Sequence, residues 1–87
     1  MSPELATLDE LLCEDLPLAV VRGLFDDGDR FVRAVSAMLE TGEVCLYVDD
    51  DEVPRWERRE ALAAARDGKE TAGARLAIAE AGVRRIG

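Results

Sequence analysis

The chain has 87 residues, 48% of them apolar and spread along its length, which suits one domain with one hydrophobic core and leaves little room for a deep catalytic cleft. Its formal charge of −8 and pI near 4.4 argue against unaided binding to phosphate backbones or anionic membranes, which need a positive field. The absence of histidine removes the commonest general base.

The charge is uneven. Residues 1–29 carry eight acids against Arg22, residues 30–52 six acids against Arg30 and Arg33, and residues 53–87 eight bases against five acids. Ten of the eleven bases are arginine, a bias that fits a GC-rich or salt-adapted source. At molar salt the Debye length falls to about 3 Å, so acidity repels DNA less there than in dilute buffer. Neither a signal peptide nor an apolar run of membrane-spanning length is visible, and a cytoplasmic location is the expectation. Cys13 and Cys45 sit among leucines and valines, which predicts buried structural thiols rather than a disulfide.

In chain order, Ser2-Pro3-Glu4 is a helix start, with a capping hydroxyl, a proline at the first position and a favourable acid. Thr7-Leu8-Asp9-Glu10 fits a second start, a capping box, so the first helix begins at residue 3 or 8 and runs to about Cys13. Asp15 and Pro17 end it. Pro17 can open a second helix carrying Leu18, Val21, Leu24 and Phe25, with Arg22 outward. Asp26-Asp27-Gly28-Asp29 breaks that helix, and Asp29 is placed to cap the next. Phe31, Val32, Val35, Met38 and Leu39 then mark the inner face of a third helix that stops at Gly42.

After Gly42 the period becomes two: Val44, Leu46 and Val48 alternate with Cys45 and Tyr47 as a strand, which the acidic run Asp49 to Glu52 ends. Pro54 can begin an alanine-rich helix through Trp56, Ala61, Leu62 and Ala65, closed by Gly68. Leu76 and Ile78 form a second short strand, and Ala81-Gly82 precede a tail anchored by Val83 and Ile86. No internal repeat or linker divides the chain.

The stretch Arg30 to Val48, RFVRAVSAMLETGEVCLYV, resembles the recognition helix of the winged helix-turn-helix superfamily running into the first wing strand, and Arg75 to Gly82, RLAIAEAG, resembles the returning strand. The resemblance implies a mainly α fold with a small β component: a winged-helix-like three-helix core, two short strands and an inserted helix. Residues 49–74 are too long for a plain wing hairpin, and the two strands are open to parallel or antiparallel pairing. The resemblance also implies a third helix able to enter the major groove, where it would present Arg30, Arg33, Ser36, Ala37 and Glu40. Arg55, Arg58, Arg59, Arg84 and Arg85 would add phosphate contacts if they gathered on that side. Against this stand Glu40, Glu43 and the acidic run, and the arginines of the third helix are equally able to bridge to Asp26, Asp27 or Asp29.

Chemistry-bearing groups are sparse. Ser36 has no basic partner nearby in sequence, and neither Asp26–Asp29 nor Asp49–Glu52 has the spacing of a calcium loop, so no enzyme, metal, cofactor or small-molecule substrate is expected. Trp56, flanked by Arg55, Glu57, Arg58 and Arg59, either closes the core, the first reading, or sits in a self-association surface, and Tyr47 is at least partly exposed. The expectation is a regulatory or adaptor module acting by protein–protein association, with homodimerisation included. The alternative is a transcription regulator reading DNA through Arg30 and Arg33.

Overall fold

The computed structural model describes residues 2–69 and 73–86. The first helix, α1 (Pro3–Leu11), starts where Ser2 accepts the amide of Leu5 at 3.2 Å. Thr7 is not a second cap. It lies inside α1, fully buried, and its hydroxyl donates to the Pro3 carbonyl at 2.7 Å, which satisfies the only buried polar side chain among the described residues.

Leu16 and Pro17 form a two-residue strand, β1, which the sequence did not announce because it is so short and half of it is proline. Helix α2 (Leu18–Gly23) follows immediately, with Leu18 and Val21 buried. The cap of α3 (Gly28–Glu40) is Asp27 rather than Asp29: Asp27 Oδ1 accepts the Asp29 amide at 3.0 Å, and Asp29 sits in the first turn, where its charge favours the helix dipole. Phe31, Val35, Met38 and Leu39 make the buried stripe of α3, and Phe31 meets Phe25 edge to face at 5.8 Å. Gly42, at φ +77°, ends α3 in a Schellman motif: its amide donates to Leu39 at 3.3 Å and that of Glu43 to Met38 at 2.9 Å.

Strand β2 (Val44–Val48) does not end at the acidic run. Asp49 and Asp50 take φ of 50° and 71°, which fits a two-residue hairpin turn of mirror-image type, and Asp51–Glu52 return as β3, with Val48 opposite Asp51 and Tyr47 opposite Glu52. Helix α4 (Arg55–Arg66) closes at Gly68 with the same Schellman pattern as α3. Strand β4 (Ala74–Ile78) then pairs antiparallel with β2, from Val44 opposite Ile78 to Val48 opposite Ala74, and Leu16 of β1 pairs with Leu76 on its other side. The strand order is β1-β4-β2-β3, antiparallel throughout. Four strands are thus described where two were expected, and the orientation left open is antiparallel because α4 packs aside, on α3 and α2, instead of crossing the sheet.

The final helix, α5 (Glu80–Ile86), packs on α1 and β2. Gly82 lies directly against the Glu43 carbonyl, so this crossing admits no side chain. The architecture is mainly α with a small antiparallel sheet. Leu46 and Leu76 turn inward to Leu8, Leu18, Phe31 and Leu62, whereas Cys45, Tyr47, Arg75 and Ala77, on the opposite sheet face, are half-exposed. Both cysteines are free and the expectation of burial is corrected: Cys13 is exposed and Cys45 half-buried. Cys13 falls just past the last turn of α1, where Leu11 turns inward while Leu12 and Cys13 turn out. No described helix is long and apolar enough to cross a membrane.

Candidate functional site

Helix α4 lies antiparallel beside α3. At one end Arg55 Nη2 donates to Glu40 Oε2 at 2.9 Å, and at the other Arg66 Nη1 is 3.7 Å from Asp29 Oδ1. Between them Leu62 and Ala65 are buried. The close approach at the Arg66 end depends on Gly28, where a Cβ would stand 2.6 Å from Arg66 Cγ. Arg22 ties the same corner by donating to the Arg66 carbonyl at 3.3 Å and to the Phe25 carbonyl at 3.2 Å. Arg66 also donates to Asp67 at 3.0 Å, and this hydrogen bond is the main reason the Asp67 carboxyl lies below its ordinary pKa.

This placement decides what the outer face of α3 can offer. Arg30 donates to Glu4 of α1 at 3.3 Å, not to Asp26, Asp27 or Asp29, and Glu40 is held by Arg55. Ser36 is half-buried, and Ala37 and Arg33 are exposed. Arg33 has no carboxylate within 4.0 Å among the described residues. The face therefore holds one uncommitted cation, with Asp29 and Glu40 alongside.

The other arginines do not gather with it. Arg84 is paired with Glu80 on α5, and Arg85 of the same helix donates to Glu43, just past the C-terminal end of α3, at 2.7 Å. Arg58 and Arg59 lie on α4 without an ion pair among the described residues, and the Arg58 Nε is buried with no hydrogen-bond partner there. On the open sheet face Arg75 covers the Tyr47 ring at 5.4 Å and donates to Asp50 at 3.0 Å and Asp15 at 3.4 Å. Cys45, then partial burial, then Glu52 push the Tyr47 phenol above its ordinary pKa, and Arg75 opposes them.

Trp56 does not close the core. It is 80% exposed in the first turn of α4, so the first reading of that residue is corrected. The buried residues of α4, Leu62 and Ala65, lie about a third and about a half of a helical turn around the axis from the indole.

Next to Trp56 the structure forms a groove of about 550 Å³ between α4 and the β2–β3 hairpin. Its floor is Val48, Val53, Pro54, Ala61, Ala64 and Ala74, and its rim is Asp51, Glu52, Glu57 and Glu60. These four carboxylates have no basic partner within 4.0 Å among the described residues. The sequence did carry a signal: Glu57, Glu60, Ala61 and Ala64 are spaced i, i+3, i+4 and i+7, a second face of α4 beside the buried one. What it lacked was the acidic hairpin folding back to supply the opposite wall. The chain matches no protein-family model, no curated protein and no solved structure.

Proposed function

We propose that the chain is a non-catalytic regulatory or adaptor domain of winged-helix type that works by associating with protein in the cytoplasm. Three helices followed by the antiparallel pair β2 and β4 support the winged-helix part of this reading. The observation that carries the association part is Trp56, an 80% exposed tryptophan beside an apolar groove with an unpaired acidic rim. Tryptophan and arginine are among the residues most enriched where binding energy concentrates. While a lone exposed apolar side chain is ordinary, one next to an apolar groove makes a patch of the kind that marks interaction sites.

The DNA reading is the weaker one. Arg30 is tied to Glu4, Glu40 and Asp29 flank Arg33, and α4 occupies one side of α3. The discriminating experiment is fluorescence anisotropy of labelled random duplex DNA titrated with the protein at low and at physiological salt. No binding at either supports association. Binding that falls steeply with added salt and weakens in Arg33→Ala would give the function to DNA instead.

A further inference from the structure

We infer that the partner is a second copy of this chain, docked across a two-fold axis through α4 so that each Trp56 indole enters the other copy's groove. This rests on the association reading above and names its partner.

The groove asks for an apolar group carried among positive charges, because its floor is alanine, valine and proline and its rim is four unpaired carboxylates. The chain supplies such a group. Trp56 stands out from α4 with Arg55, which also holds Glu40, and Arg59, which has no ion pair among the described residues, on one flank, while Arg58 turns inward beside Leu62 with its Nε buried. The other exposed large apolar residues do not match: Leu12 lies among Asp9, Glu10 and Glu14, Val20 has only Arg22 nearby, which is turned inward to two carbonyls, and Val83 sits beside arginines already bound to Glu80 and Glu43.

Geometry agrees with chemistry. Trp56 and the groove wall formed by Glu57, Glu60, Ala61 and Ala64 belong to one helix, with the indole at its start and the small residues one to two turns later. A two-fold axis near Glu60 sets two α4 helices antiparallel and brings the start of each against the alanines of the other. An isologous contact of this kind uses the same patch twice. Alanines at 61 and 64 let the helices approach closely, and interaxial distance depends on the side chains at the contact. The groove exceeds the volume of one indole, which leaves room for a guanidinium at the carboxylate rim.

Two buried indoles remove roughly 500 Å² from water, well short of the 1,200 Å² at which stable interfaces begin, so the helix flanks must contribute and the dimer belongs to the weak, micromolar class. Two copies of charge −8 repel at long range, and the axis also brings the two unpaired Glu60 carboxylates together, so the dimer should tighten as added salt shortens the screening length from about 8 Å at physiological strength.

Trp56 is the sole tryptophan, so it reports directly on its own surroundings. The experiment is sedimentation equilibrium with tryptophan emission in parallel, from micromolar to millimolar chain at physiological salt, with reductant present because Cys13 is exposed. The expected result is a mass rising from monomer toward dimer, an emission maximum moving to the blue over the same range, a monomeric Trp56→Ala and an unaffected Leu12→Ser. A dimer that persists in Trp56→Ala overturns the inference but keeps the association reading. A monomer with stationary emission at every concentration also overturns it. A peptide Arg-Trp-Glu-Arg-Arg added to that monomer then separates the two claims: binding assigns the groove to a foreign basic segment, and no binding removes the association reading as well.

Discussion

Arg55 of α4 donates to Glu40 of α3 at 2.9 Å, and this exposed contact marks the line along which the inserted helix is fastened to the helical core. The pair shows where α4 lies more than it holds α4 there, since exposed ion pairs contribute about 0–1 kcal/mol. Leu62, fully buried two turns further along α4, carries the attachment. Leu62→Ala is expected to lower the urea unfolding free energy by about 2–5 kcal/mol, and Arg55→Ala by less than about 1 kcal/mol. Equal losses in the two variants would mean that charge, not burial, seats the helix.

Two glycines should respond in opposite directions to the same change. At Gly82 a Cβ would collide with the Glu43 carbonyl, backbone that cannot swing aside, so Gly82→Ala should be strongly destabilising and loosen α5. At Gly23, in α2, a Cβ meets nothing within 4 Å and φ is not positive, so Gly23→Ala should stabilise by about 0.4–1 kcal/mol. Thermal melts of both variants check this, and a neutral Gly82→Ala would contradict the α5 docking described.

Tyr47 is the sole tyrosine, so its ionisation can be followed by phenolate absorbance without overlap from another phenol. Its pKa is raised, first by Cys45, then by partial burial and Glu52. Stability linked to this group is complete below the ordinary phenol range and is lost as pH rises through the raised value. Cys45→Ala should move the titration midpoint down toward the ordinary value. Arg75→Ala should move it further up, because the guanidinium over the ring favours the phenolate. Unchanged midpoints in both variants would show that Tyr47 does not share a face with either residue.

The helical half of the molecule was legible because capping and periodicity agree there: Ser2 caps α1, the Phe31 to Leu39 stripe is the buried face of α3, and Gly42 and Gly68 both end helices with positive φ. Errors arose where a residue has two chemically reasonable roles. Thr7 can cap a helix or bond back to the preceding turn, and burial inside α1 selects the second. Four consecutive acids read as a solvated loop, yet aspartate tolerates positive φ, and Asp49 and Asp50 make the turn that returns Asp51 and Glu52 to the sheet. The arginines were legible as a set but not as pairs, since Arg30 finds Glu4 and Arg75 finds Asp15 and Asp50 only after the fold brings them together. The same holds for the groove, whose two walls, residues 48–54 and 57–64, adjoin in sequence but face each other only because the chain turns back at Asp49 and Asp50.

The most direct test of association through α4 mixes two variants that each lack half of the contact. Trp56→Ala keeps the groove and loses the indole. Ala64→Gln keeps the indole and lays a long amide across the groove floor. Sedimentation equilibrium of each alone should give a monomer, and an equimolar mixture should give a heterodimer weaker than the wild-type dimer, because one of the two indole contacts is regained. A mixture that stays monomeric beside a dimeric wild type, or either variant dimerising as tightly as wild type alone, would contradict reciprocal docking of Trp56.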